Sequence, residues 1–94
     1  MNVVILGCGR TGATLSLQLI SRGHSVTVIE RSPDALHRIE DHKDKLNVII
    51  GNGLDHDVML KADIENADAF FALTRGDNTN LMACLLYTSD AADE

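Results

Sequence analysis

The sequence lacks a hydrophobic run long enough to cross a membrane, and its start gives no reason to expect a signal peptide. None of its apolar segments approaches the roughly 18 to 20 residues that a transmembrane helix requires, and Met1 runs almost directly into a short apolar strand. These absences predict a cytoplasmic protein with no direct insertion into the membrane. The sequence has only two cysteines, Cys8 and Cys84, without metal-ligand spacing, which suits a reducing compartment.

Basic residues are scarce as well. The 94 residues include 8 Lys and Arg against 14 Asp and Glu, which gives a net charge of −6 at pH 7. Because phosphate contacts require clustered Lys and Arg and the basic residues here are scattered, no nucleic-acid partner is expected. The 4 histidines have no Cys, Asp or second His at the spacing of a metal site, so no metal is expected either.

What the sequence does contain is a repeated alternation of strand and helix patterns. Four short apolar runs begin near Val3, Val26, Val48 and Ala69, at intervals of 23, 22 and 21 residues. Continuous rather than alternating apolarity is typical of parallel strands that are covered on both faces. Right-handed crossovers then predict an α/β fold, a Rossmann-type doubly wound parallel sheet truncated after four strands in the order 3-2-1-4.

Capping residues place a helix after each strand. The predicted helices are residues 11–21, ending at Gly23; residues 33–42, with Ser32 as N-cap and Pro33 in the first turn; a short helix over residues 58–62, capped by Asp55; and a last helix that starts at Asp77 or Asn78.

The most specific motif is Gly-Cys-Gly-Arg-Thr-Gly at residues 7–12, between the first strand and the first helix. Gly7 permits the tight exit from the strand, Gly9 lets the backbone approach a pyrophosphate, and Gly12 lets the helix lie close to the sheet. Glu30 ends the second strand, 18 residues past Gly12. This combination predicts a dinucleotide site, with phosphates at the helix N-terminus and a carboxylate for the ribose.

Three further segments complete the pattern: the loop after strand 3, strand 4 itself, and the loop after strand 4. Residues 51–55 read Gly-Asn-Gly-Leu-Asp, residues 67–74 are predicted to form strand 4, and residues 75–81 form a polar entry into the next helix. Together with the opening MNVVILGCGRTGATL and the stretch GHSVTVIERSP, these segments resemble the RCK, or KTN, nucleotide-binding domain of Trk- and Ktr-type potassium-uptake regulatory proteins. The resemblance covers residues 1–83.

The resemblance implies a regulatory subunit rather than an enzyme. Such a subunit is cytoplasmic and peripheral to the inner face of the cell membrane, binds NAD(H) or ATP/ADP, assembles as a homo-oligomer, and gates a membrane potassium transporter subunit. The site residues that the resemblance implies are Gly7, Cys8, Gly9, Arg10, Thr11 and Gly12 at the phosphates, Glu30 and Arg31 near the ribose, Asn52 and Gly53 at the adenine, and Leu73, Thr74 and Arg75 on the far side of the crevice.

Two points in this assignment remain open. Asn52 stands where an acidic residue is frequent in such proteins, which puts a charge-based adenine contact in doubt. Arg10 and Arg31 can be read either as ligand contacts or as surface charges.

The last residues, 84–94, read CLLYTSDAADE and resemble the translation of a transposase-type sequencing adapter. Residues 88–94 contain no large apolar side chain that could continue a helical face. We therefore expect an incomplete nucleotide-binding domain over residues 1–83 and a non-native tail over residues 84–94, with strands 5 and 6 and a C-terminal ligand-binding subdomain missing.

An NAD-dependent oxidoreductase is the alternative, because such enzymes begin with the same βαβ unit. An oxidoreductase needs a proton-transfer group and a substrate pocket. Residues 1–83 contain no evident acid/base pair and no Tyr-x-x-x-Lys arrangement. The sequence therefore favours binding over catalysis.

Overall fold

The structure, a computed structural model, describes residues 1–74, which form a parallel four-stranded sheet in the order β3-β2-β1-β4. This confirms the predicted fold class and strand order. The elements are β1 (Asn2–Leu6), α1 (Arg10–Ser21), β2 (Ser25–Glu30), the 3₁₀ helix η1 (Pro33–Lys45), β3 (Asn47–Ile50), α2 (His56–Lys61), the 3₁₀ turn η2 (Ile64–Asn66) and β4 (Ala69–Ala72).

Strand β1 lies at the centre of the sheet and is buried on both faces. Its odd-numbered residues, Val3 and Ile5, point into a core that α1 and η1 cover. Its even-numbered residues, Val4 and Leu6, point into a second core with Met59 from α2. Since successive side chains of a strand alternate between faces, two cores require the continuous apolar run that the sequence shows.

Helix α1 ends as predicted at Gly23, which has a φ of +87°. The Gly23 N–H donates to the Ile20 carbonyl and the His24 N–H donates to the Leu19 carbonyl, both at 3.1 Å. These two bonds form a Schellman motif, which requires a left-handed residue after the last helical turn. The ordered end directs the chain back into β2.

The helix after β2 differs from its prediction. A single helix was expected over residues 33–42 with a Ser32 side-chain cap, but η1 is a 3₁₀ helix over Pro33–Lys45 and Ser32 makes no side-chain cap. The Ser32 hydroxyl could have accepted a hydrogen bond from the Ala35 N–H. That N–H instead donates to the Ser32 carbonyl at 3.1 Å. Because residues three apart share one side of a 3₁₀ helix, Leu36 and Ile39 both enter the core.

The remaining elements follow the sequence closely. The Asp55 side chain caps α2 by accepting the Asp57 N–H at 2.9 Å, as predicted. Strand β4 covers Ala69–Ala72 and is shorter than the predicted residues 67–74; before its start, the Ala67 N–H is taken by the carbonyl of Ile64 at the end of η2. The predicted fourth helix and the tail over residues 84–94 lie outside the described residues.

Within residues 1–74, no helix combines the length and the apolar character that crossing a bilayer demands.

Candidate functional site

A cavity of about 520 Å³ opens at the carboxyl ends of the strands. This position follows from the topology, because the order 3-2-1-4 changes direction at β1, and ligands of open α/β sheets bind at the carboxyl ends of the strands beside such a switch point. Eight of the predicted site residues line the cavity, namely Gly7, Gly9, Glu30, Arg31, Asn52, Gly53, Leu73 and Thr74.

Two glycines of the loop over residues 7–12, the glycine loop, are required by the fold. Gly7 has a φ of +108°, and a Cβ there would lie 2.8 Å from the carbonyl oxygen of Leu73. A Cβ on the buried Gly12 would collide with the carbonyl oxygen of Gly7. These glycines permit the turn out of β1 and the close approach of α1 to the sheet, as the sequence predicts.

Gly9 is different from both. Its φ of −74° and ψ of −167° are open to any residue, and a Cβ on it would meet no atom within 4 Å. Neither backbone conformation nor packing therefore explains a glycine at this position. Gly9 also lines the cavity, so a group bound there could approach its backbone closely.

Gly9 is also the N-cap residue of α1. No side chain caps this helix, and its first turn contains no acidic residue. The first N–H groups of a helix have no partner within the helix, and the helix dipole favours an anion at this end. Together with the open space at Gly9, the 12-residue helix offers a suitable site for a phosphate.

Glu30 lies at the end of β2 with both carboxylate oxygens engaged. Oε1 accepts the Cys8 N–H at 2.7 Å, and Oε2 accepts the Ser32 N–H at 2.8 Å. An ionised carboxylate offers about four lone-pair positions, so two of them remain for a ligand. The sequence predicted the carboxylate at the cavity but gave no sign of its bonds to the backbone.

Cys8 contributes its backbone to the site and its side chain to the core. The thiol is fully buried in the cluster between the sheet and α1. Burial raises the pKa of the Cys8 thiol, the charge of Glu30 raises it further, and the charge of Arg38 acts in the opposite direction. The thiol therefore stays protonated at neutral pH and is a weak nucleophile.

Arg10 and Thr11 do not line the cavity, although the resemblance implied that they contact phosphates. Both lie in a separate depression along α1, together with Gln18 and with Phe71 on β4. At the start of a helix the N–H groups point along the axis while the side chains project sideways, which is consistent with these two side chains lying outside the cavity. Arg75 lies outside the described residues.

The loop after β3 reaches the cavity because its glycines pack against apolar side chains. A Cβ on Gly51 would lie 2.7 Å from a methyl carbon of Val58, and one on Gly53 would collide with the side chain of Leu6. Asn52 is fixed as well, since its Oδ1 accepts the Leu54 N–H at 2.9 Å. The absence of a Cβ on Gly51 and Gly53 therefore permits close packing of this loop.

The helix η1 supplies cavity residues that sequence reasoning missed. They are Asp34, Ala35, His37 and Arg38. With three residues per turn, residues 35 and 38 share one side of η1 and residues 34 and 37 share the next. The basic Arg38 joins Arg31 at the wall of a cavity whose acidic residues are Glu30 and Asp34. A 3₁₀ periodicity applied from Pro33 onward would have found these positions.

The known proteins that this chain matches agree with this architecture. Residues 3–93 match the model of the TrkA-N domain. The chain is 46% identical over 86 residues to the Trk system potassium uptake protein TrkA homolog of Methanothermobacter thermautotrophicus, and 42% identical over 83 residues to the Trk system potassium uptake protein TrkA of Streptomyces coelicolor. These alignments cover 92% and 88% of this chain but only 39% and 37% of the two relatives.

A solved structure of the Kef CTD of Shewanella denitrificans, in an AMP-bound form, superposes with a TM-score of 0.82 at 18% identity, covering 98% of this chain and 54% of that one. At this identity the match supports the fold. With the family model spanning most of the sequence, the chain belongs to the TrkA-N domain family.

Proposed function

We propose that this chain is the nucleotide-binding part of a potassium-uptake regulatory protein. The relatives named above are Trk system potassium uptake proteins, and the Kef CTD with the same fold was solved with AMP bound. The observation that carries the proposal is the uncapped N-terminus of α1 at Gly9, a residue that lines the cavity and that neither backbone conformation nor packing requires to be glycine.

In the proposed complex, a nucleotide lies across the carboxyl ends of β1, β2 and β3. Its phosphates lie at Gly9, where the N–H groups of the first turn of α1 donate hydrogen bonds to the phosphate oxygens. The two unused lone pairs of Glu30 accept the ribose hydroxyls. The adenine lies against the loop of Asn52 and Gly53, and Arg38 provides positive charge in the same cavity. NAD(H) and ATP or ADP share all of these groups.

The proposal for the larger assembly rests on the same potassium uptake relatives. We propose a cytoplasmic regulatory subunit, peripheral to the membrane, that forms a homo-oligomer and acts on a membrane potassium transporter subunit. The proposed domain is residues 1–83, and residues 84–94 are a predicted non-native tail. The oxidoreductase alternative is not favoured, because the named relatives are potassium uptake proteins. The nucleotide is therefore expected to be bound without being consumed.

A preference for NADH over NADPH tests the ribose role of Glu30. Hydrogen bonds from two hydroxyls to a carboxylate contribute roughly 1.5 to 3 kcal/mol, and a 2′-phosphate would lose them. The added phosphate would also meet like charge, although Arg31 and Arg38 in the same cavity offset part of that repulsion. We expect a net difference of about 2 kcal/mol, or roughly a thirtyfold tighter Kd for NADH, by isothermal titration calorimetry.

The control for this comparison of NADH with NADPH is Glu40→Ala, which removes a charge from an exposed position on η1 outside the cavity. This variant should retain the preference, because surface charges contribute little to a distant site. Equal affinities of the unmodified chain for NADH and NADPH would show that Glu30 does not bind the ribose. Failure of every adenine nucleotide to bind would contradict the proposed function itself.

A further inference from the structure

Glu30 lies where the three loops that follow β1, β2 and β3 meet. Its backbone carbonyl accepts the Gly51 N–H at 3.0 Å. Its side chain accepts the Cys8 N–H of the glycine loop at 2.7 Å and the Ser32 N–H of the turn before η1 at 2.8 Å. One residue therefore contacts all three loops, and the bond to the glycine loop spans 22 residues of sequence.

We propose that Glu30 is a positioning residue that clamps the glycine loop to the turn after β2, and that it thereby holds the phosphate position independently of any contact with ribose. The clamp consists of hydrogen bonds within the protein alone. Its effect on nucleotide affinity rests on the proposed function.

The burial of Cys8 explains why such a clamp matters. Cys8 is completely buried, and the Glu30 carboxylate is the acceptor of its N–H. A buried N–H that loses its acceptor is strongly disfavoured, and a bond to an ionised acceptor is about twice as strong as one between neutral groups. Without the carboxylate, the loop at Cys8 must shift to find water or another acceptor, and the adjacent Gly9 shifts with it.

The clamp and the proposed ribose contact are compatible with each other. Each carboxylate oxygen accepts one backbone N–H and retains a second lone pair. A bound diol would therefore add to the existing bonds without displacing them. The two roles can be separated by a ligand that has phosphates but no ribose hydroxyls, because only the clamp affects its binding.

The first experiment compares ADP with 2′,3′-dideoxy-ADP by calorimetry on the full chain. If Glu30 acts as a clamp, Glu30→Ala should weaken binding of the dideoxy analogue by about tenfold or more, because the phosphate position is disturbed. Glu40→Ala, which removes the same charge from the exposed side of η1, should change it by less than about twofold. An unchanged affinity of Glu30→Ala for the dideoxy analogue would overturn the proposal.

The second experiment needs no ligand. Amide hydrogen exchange of Cys8, followed by NMR, should accelerate by about tenfold or more in Glu30→Ala relative to the unmodified chain and to Glu40→Ala. Glu30→Gln keeps one acceptor oxygen but places an amide donor opposite the other N–H, so it should restore part of the protection. Unchanged exchange at Cys8 in Glu30→Ala would overturn the proposal.

The outcomes for the two proposals are distinguishable. If the unmodified chain binds neither ADP nor the analogue, the proposed function fails, while the exchange of the Cys8 amide still decides the clamp. If Glu30→Ala does not fold, Glu30→Gln takes its place, and protection at both Cys8 and Ser32 equal to that of the unmodified chain would then contradict the clamp.

Discussion

Replacing Gly9 with alanine should strongly weaken nucleotide binding and leave the fold intact. The backbone of Gly9, with φ of −74° and ψ of −167°, is accessible to alanine, and the added methyl group would meet no protein atom within 4 Å. It would instead occupy the space in which we place the pyrophosphate. We expect Kd for NADH to rise by roughly a hundredfold or more, about 2.7 kcal/mol, with a melting temperature within a few degrees of the unmodified chain.

Gly23→Ala is the matched control for this prediction. A Cβ on Gly23 would also enter open space, but Gly23 has a φ of +87° and lies at the far end of α1, outside the cavity. This variant should lose about 1 kcal/mol of stability and retain nucleotide affinity. Calorimetry and thermal denaturation distinguish the two variants. Undiminished binding by Gly9→Ala would show that no phosphate lies against this residue.

Replacing Gly12 with alanine should instead destabilise the fold. A Cβ on the buried Gly12 would collide with the carbonyl oxygen of Gly7, which is backbone and cannot move independently. Helix α1 would have to move away from the sheet, whose core it covers through Ala13 and its neighbours. We expect Gly12→Ala to lower the free energy of unfolding by about 3 kcal/mol or more, measured by urea denaturation.

Thr14→Ala controls for the general effect of changing α1, because Thr14 is exposed on the same helix. Its free energy of unfolding should stay within about 0.5 kcal/mol of that of the unmodified chain. If Gly12→Ala were equally mild, close packing of α1 on the sheet would not be the reason for this glycine. The contrast between Gly9 and Gly12 would then have no structural basis.

The strand order could be predicted because it depends on local patterns and on a general rule. Four apolar runs of continuous hydrophobicity indicate buried parallel strands, and right-handed crossovers restrict how such strands can be arranged. The glycine loop and Glu30 were recognisable for a similar reason, since both follow directly from strand ends. For features that directly follow a strand end, the place in the sequence is enough to predict the place in the fold.

The type of the helix after β2 was not predictable from capping residues. Ser32 and Pro33 indicate where a helix begins, but they do not distinguish an α-helix from a 3₁₀ helix. That difference decides which side chains share a face, and so Arg38 was missed as a cavity residue. The choice depends on how Leu36 and Ile39 enter the core, which is a tertiary property.

Contacts between distant segments were also beyond the sequence pattern. Nothing local to Gly53 indicates that it packs against Leu6, and nothing local to Glu30 indicates that its carboxylate bonds the N–H of Cys8. Both contacts arise because parallel strands bring their carboxyl ends to one edge of the sheet. The sequence patterns predicted which residues lie at that edge but not which of them contact each other.

A titration of the chain with ADP, followed through its backbone amide chemical shifts, tests most directly whether the cavity binds a nucleotide with its phosphates at Gly9. The largest changes should occur at Gly9 and the following turn of α1, at the turn after Glu30, and around Gly53, and they should be absent from Gly9→Ala at the same ADP concentrations. Chemical-shift changes confined to other parts of the molecule, or no changes at millimolar ADP, would contradict the claim that the cavity binds a nucleotide with its phosphates at Gly9.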